Sequence, residues 1–189
     1  MDVLSGVFAA FGLSASAGLN AYIPLLVIAL TARYTHWLHL NPPWDALTSL
    51  WIILLLLTLA AIEFVADKVP AVNHLNDLIH TFIRPVAGAI AFAASAGVIS
   101  DLHPGLALAL GLLVAGSVHT IKAGVVRPAV TATTGGAAHP PLSLAEDVTA
   151  AVVSLLSVLV PLLLGLALLL FAVALLLWLR GRRRPDRAA

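Results

Sequence analysis

Leu47-Thr-Ser-Leu-Trp-Ile-Ile-Leu-Leu-Leu-Leu-Thr-Leu-Ala-Ala-Ile62 runs without a charge into Glu63-Phe-Val-Ala-Asp67-Lys68-Val-Pro70-Ala-Val-Asn73-His74-Leu-Asn76-Asp77-Leu-Ile-His80-Thr-Phe-Ile-Arg84-Pro85. Leu47 to Ala66 matches the roughly 20 apolar residues that a helix needs to cross a bilayer core. The stretch that follows concentrates ionisable side chains in a chain that is 61% hydrophobic and only 10% charged. Each such group costs about 2.5–3.5 kcal/mol at the centre of a membrane helix on insertion scales, so it is a functional candidate by default. Together the two stretches predict an all-α, polytopic transmembrane helix bundle with a polar centre.

Working outward, the chain offers about five to six membrane segments, some broken or re-entrant. Val3 to Ala32 is long for one span and is interrupted by Gly12, Gly18 and Pro24, which predicts a tilted, kinked helix or two half-helices. Arg33 to Asp45 is a water-exposed turn, and Tyr34, Trp37, Trp44 and Trp51 supply an interfacial aromatic belt. Pro70 is expected to break the chain and Asn73 or His74 to begin a helix that Pro85 kinks, with Val86 to Ile99 continuing it. Asp101 to Gly105 forms a tight turn, Leu106 to about Val126 is a span, and Thr131 to Pro141 reads as a loop. Leu142 to Leu179 would reach about 57 Å as one helix, so Pro161 and Gly165 mark its expected break.

The charges are unevenly spread. Arg180 to Arg187 carries five of the ten basic residues and one acid, which leaves a mildly acidic membrane body of five basic and eight acidic residues. Under the positive-inside rule this tail is a cytoplasmic anchor rather than a nucleic-acid arm. The expected organisation is one transmembrane domain over 1–179 and a basic cytoplasmic tail over 180–189, in the inner membrane. No basic residue precedes the first apolar run, so that run is read as retained rather than as a cleaved leader.

Glu63 and Asp67 are four apart and share a helix face, with Lys68 just beyond. They form a cation or proton site, or else ordinary charges where a helix emerges among headgroups. His74, Asp77, Thr81 and Arg84 recur at spacings of three and four, opposite Leu75, Leu78, Ile79, Phe82 and Ile83. This stripe lines an aqueous cavity, with Asp77 and His80 as proton carriers or ligands and Arg84 as an anion anchor, or the helix lies in the interface. His119 and Lys122 share a face. Arg127-Pro128 repeats the Arg84-Pro85 pair, and a guanidinium beside the free amides of a broken helix suits phosphate or carboxylate. The first helix carries small residues at four-residue spacing, which favours close packing, and Asn20 is placed to line a path where it unwinds. Glu146-Asp147 beside Ser143 reads first as N-terminal capping, and Asp147 is kept as a site candidate because its placement mirrors Asp77.

That mirroring is one of two internal echoes. Pro70 to Asp77 matches Pro140 to Asp147, and Gly12 to Pro24 matches Gly116 to Pro128, which suggests an internal repeat of the kind secondary transporters use. The chain has no cysteine, no zinc-binding histidine pair and no phosphate-loop or nucleophile-elbow motif, so neither an enzyme nor a metal or other cofactor is expected. At Gly18 to Pro24, Glu63 to Pro70 and His119 to Gly124 the chain resembles the bacterial integral membrane proteins grouped as domain of unknown function 4126. The resemblance covers nearly the whole chain and implies no established activity. The leading expectation is a small transporter or channel-like protein moving an ion or small solute. Its polar centre would be built from Glu63, Asp67, Asp77, His80, Arg84, Lys122, Arg127, Asp147 and Asn20. Two others stand beside it: a protein binding or flipping a phosphate-bearing lipid, and a non-transporting membrane scaffold. Membrane lipids and a second copy in a homodimer are the expected partners, and no nucleic acid.

Overall fold

The computed structural model describes residues 3–68, 70–96 and 102–159 and the helical positions 170 and 173; for 3–5, 70–75 and 77 it describes the backbone alone. All regular structure among these residues is helical. In chain order it comprises α1 (Val3–Leu19), α2 (Tyr22–Tyr34), a 3-10 turn (Trp44–Thr48), α3 (Leu50–Ala66), α4 (Pro70–Ser95), α5 (Pro104–Ile121), a π-helical turn (Lys122–Val126), α6 (Arg127–Thr134) and α7 (His139–Leu159). Among the described residues three helices are long and apolar enough to cross a membrane: Leu78–Ser95, the continuous rod Pro104–Thr134, and His139–Leu159. The break at Pro161 and Gly165, the span after it and the tail 180–189 lie outside the described residues.

The long first segment is two helices, as its interruptions predicted, and the cause is Pro24. A proline ring collides with the carbonyl four residues back. That carbonyl belongs to Asn20, where α1 gives way to α2. Pro70 and Pro128 depart from expectation, while the helix continues past Pro85 as expected. Helix α4 starts at Pro70 itself, the first-turn position that needs no amide hydrogen, and runs through Pro85 without ending. Before Pro128 the rod widens into the π turn, where Arg127 N–H bonds to Lys122 O, five residues back. The predicted Thr131–Pro141 loop is helical at both ends, and its turn is made by Gly135 and Gly136, both with positive φ.

Helix α1 packs against α4, α5 and α7, and the core is built largely from alanine: Ala9, Ala17, Ala87, Ala91, Ala94 and Ala115. Small residues let helices approach until backbones touch. A side chain at Gly111 would run into Gly88 O and Phe92 of α4, and Ser14 Oγ of α1 donates to Gly111 O at 2.8 Å. Ser16 Oγ meets Ser154 Oγ of α7 at 2.7 Å. Polarity is distributed inside out. On α4, Leu78, Ile79, Phe82 and Val86 point outward, while Asn76, His80 and Arg84 are buried. Tyr34, Trp37 and Trp51 are exposed, and Trp44 packs against the core instead.

Gly111→Val should destabilise the bundle by about 1–3 kcal/mol, as overpacking does. Gly124→Ala, where an added methyl meets nothing within 4 Å, should stay within about 0.5 kcal/mol. Denaturant titration of the purified protein followed by circular dichroism separates the two.

Candidate functional site

A helix that stops inside a bundle leaves backbone groups without partners. At the Asn20–Ala21 break four of them are met by side chains. Asn20 Oδ1 accepts from Tyr22 N and Ile23 N, both at 3.1 Å, and so caps α2. Ala21 N donates to Glu63 Oε2 of α3 at 3.3 Å. Leu19 O, the carbonyl left at the end of α1, accepts from Lys122 Nζ at 2.8 Å. An anion thus faces the positive start of α2 and a cation the negative end of α1, the sense that helix dipoles favour.

From these two anchors an alternating chain of charges closes into a ring. Lys122 Nζ lies 2.8 Å from Glu146 Oε2. Glu146 Oε2 is 3.2 Å from Arg127 Nη2, and the same nitrogen is 3.2 Å from Asp67 Oδ2. Asp67 is 3.6 Å from Arg84 Nη2, which reaches Glu63 Oε1 at 2.9 Å. The ring therefore leaves the backbone at Leu19 O and returns at Ala21 N, through three cations and three carboxylates. Asp147 adds a branch: it accepts from Asn20 Nδ2 at 2.9 Å and pairs with Lys68 at 3.2 Å. Four carboxylates and four cations make the whole assembly neutral apart from its histidines. Every member except Lys68 is buried.

Two histidines flank the Glu63–Arg84 pair. His119 Nδ1 lies 3.2 Å from Arg84 Nη1, and its Nε2 lies 3.2 Å from Thr81 Oγ1. His80 Nδ1 lies 2.8 Å from Asn76 O, while Nε2 sits 3.2 Å from Glu63 Oε1, off the axis of a hydrogen bond. Asn76 Nδ2 and Ser143 Oγ donate to Asp67.

Glu63, Asp67, His80, Arg84, Lys122, Arg127, Asp147 and Asn20 are thus brought together, while the Asp77 and His74 side chains lie outside the described residues. Three readings are corrected. Among the described side chains of α4 the inward line is Asn76, His80 and Arg84, and Thr81, expected on the stripe with Arg84, is exposed. Neither arginine lies beside the free amides of a broken helix, because α4 is continuous and the π turn carries the chain into Pro128. Asp147 and Glu146 are no cap, since α7 already begins at His139. Lys68 leaves Glu63 and Asp67 to other bases and instead pairs with Asp147 over the Phe64 ring. Glu146, His119 and Asn76 belong to the site although the sequence did not single them out for it. On α7 the signal was available, in polar and small residues (Ser143, Asp147, Ala150, Ser154) recurring at helical spacing and all buried in an apolar helix.

Removing one partner of a buried ion pair leaves the other charge uncompensated and costs about 3–5 kcal/mol. Arg84→Gln should show that loss in denaturant titration, and Glu63→Gln/Arg84→Gln should recover most of it.

No curated protein and no solved structure matches the chain. A family match extends over residues 7–181, nearly its full length. With its polar segments accounted for in one buried ring, the chain belongs to the family described as Domain of unknown function (DUF4126).

Proposed function

We propose that this protein is a multi-pass transporter or channel-like protein of the inner membrane, its C-terminal tail cytoplasmic, moving an ion or small solute past the ring at the broken helix. The observation that carries this reading is the break itself, with Glu63 held on Ala21 N and Lys122 on Leu19 O. Discontinuous helices whose ends meet charged groups near mid-height are how secondary transporters build a site in the membrane. Here Asn20, Arg84 and His119 lie near the middles of the α1–α2 segment, α4 and the Pro104–Thr134 rod. The echoes between Gly12–Pro24 and Gly116–Pro128 fit the same reading, because each spans a helix irregularity, the break in one and the π turn in the other.

The apolar outer face of α4 supports a transmembrane placement over an interfacial one. An interfacial helix turns its polar face to water, whereas here that face is turned into the bundle and Phe82 is 73% exposed. The pairing of Arg84, Lys122 and Arg127 with carboxylates also favours transport over phosphate-lipid binding, since a phosphate would have to displace Glu63, Asp67 and Glu146 from their bases.

Purified protein in liposomes, recorded on a solid-supported membrane during jumps in H⁺, Na⁺, K⁺ and phosphate, tests this. At least one jump should move charge. Glu63→Gln, which loosens the ring at the break, should lower that signal by roughly tenfold, equivalent to about 1.4 kcal/mol of barrier. Lys68→Met, off the ring, should stay within about twofold. Silence to all four jumps would remove the support for transport.

A further inference from the structure

Among the described buried side chains, His80 is the one whose ring chemistry the ring of charges leaves unfinished. Its Nδ1 is 2.8 Å from Asn76 O, and a carbonyl can only accept, so Nδ1 carries a hydrogen. In a neutral imidazole that makes Nε2 a bare lone pair. That lone pair is buried, makes no hydrogen bond, and sits 3.2 Å from a carboxylate oxygen, Glu63 Oε1. Two acceptors thus lie within 3.2 Å of each other, with the lone pair directed off the line to Oε1.

His119 obeys the opposite logic. Arg84 Nη1 can only donate, so His119 Nδ1 must accept, and its Nε2–H is left for Thr81 Oγ1. A second proton there would put N–H against N–H. One histidine is arranged to take a proton and the other to refuse it, with the same guanidinium between them.

From this geometry we infer that the His80 Nε2–Glu63 pair is a proton-binding site and that the proton is the ion to which the proposed transport is coupled. The inference rests on the transport reading for its coupling role and on the geometry alone for the site. The groups facing His80 from each packed element fit. Glu63 comes from α3, Asp67 follows at its end and reaches α4 through Asn76, Tyr22 of α2 stands edge-on with ring centroids 6.1 Å apart, and Arg84 lies one turn on along α4. Arg84 selects a proton over a metal cation. Its Nη2 and Nε stand 2.9 and 3.3 Å from the same Glu63 Oε1, so a metal ion there would meet a guanidinium, whereas a proton attaches to Nε2. The step balances: one proton adds to the Nε2 lone pair, no bond breaks, and the assembly gains one positive charge. The new positive charge beside Glu63 attracts that carboxylate and repels the Arg84 guanidinium, which has Asp67 Oδ2 already 3.6 Å away. Protonation thus moves Arg84 from Glu63 toward Asp67 and loosens the ring at the amide of Ala21.

The test is ¹⁵N-histidine NMR of the full chain in nanodiscs between pH 5 and 8, with His80 and His119 assigned through His80→Gln and His119→Gln. His80 should pass from the Nδ1–H neutral tautomer to imidazolium as pH falls, while His119 stays Nε2–H and neutral. Glu63→Gln should reduce the imidazolium population at a given pH by at least tenfold; circular dichroism confirms the fold, and Glu63→Asp, which keeps the charge, should restore most of it. A His80 that stays neutral throughout, or titrates equally in Glu63→Gln, overturns the site. Liposomes with an internal pH-sensitive dye separate the two readings. Titration of His80 without any proton uptake overturns the coupling role and leaves the site. Solute flux whose pH dependence survives His80→Gln overturns the coupling while the transport reading stands.

Discussion

The structure depends on one break, between α1 and α2, where the ring of Pro24 crowds the carbonyl of Asn20 and the released backbone groups find partners on other helices. The break releases backbone groups in the middle of a bundle whose outer faces are apolar. Buried backbone groups without partners cost as much as lost hydrogen bonds. Asn20 takes two amides, Glu63 takes Ala21 N and Lys122 takes Leu19 O. The break therefore draws α3 and the end of α5 to the same point, beside the place where α1 meets α4 and α7.

Using charged groups for that task has a consequence that propagates. A lone carboxylate buried at Ala21 would be prohibitively costly, so Glu63 requires Arg84. Arg84 lies against Asp67, Asp67 against Arg127, Arg127 against Glu146, and Glu146 against the Lys122 that already caps Leu19. The sequence of requirements stops only when it returns to the backbone. This accounts for a feature of composition that is otherwise odd: outside the tail the chain has five basic residues, and all but Arg33 are in this one assembly. Well-packed apolar residues often serve stability as well as a buried ionic cluster does. Retaining eight charges here therefore points to a use for them beyond holding the bundle together.

Much of the site could be read from the chain because ionisable residues in apolar helices are expensive and few. Glu63, Asp67, Arg84, Lys122, Arg127 and Asp147 stand out by type alone. What could not be read was register and partnership. His80 and Thr81 lie four and three residues before Arg84 and share its face equally well by spacing, and where α4 packs closely on α5 at Gly88 it is His80 that is buried and Thr81 that is exposed. Glu146 looked like a cap because the prolines at 140 and 141 suggested a later helix start than His139. Pro24, Pro85 and Pro128 are alike in sequence and differ in outcome. The first breaks a helix, the second leaves it running, and the third is absorbed by a π turn. That outcome depends on whether released backbone groups find partners on other helices, which no local pattern encodes.

A neutral ring is also a balanced one, and balance decides how it responds to an added charge. Any ion that joins it must either bring a counter-ion or open a link. The longest link is Arg84 to Asp67 at 3.6 Å, and the histidines stand at the same place, His119 on Arg84 and His80 beside Glu63. Lys122 and Arg127, by contrast, share Glu146 at 2.8 and 3.2 Å, and Lys122 is fastened to backbone besides. The two sides of the ring are therefore unequal. The α5–α7 side is held at each joint by shorter contacts, and the α3–α4 side carries the long joint and the protonatable neighbour. The side with the long joint is the one that holds the start of α2, through Glu63 on Ala21 N. The asymmetry leaves the two ends of the broken helix unequally held, the end of α1 through Lys122 and the shorter contacts, the start of α2 through Glu63 and the side with the long joint.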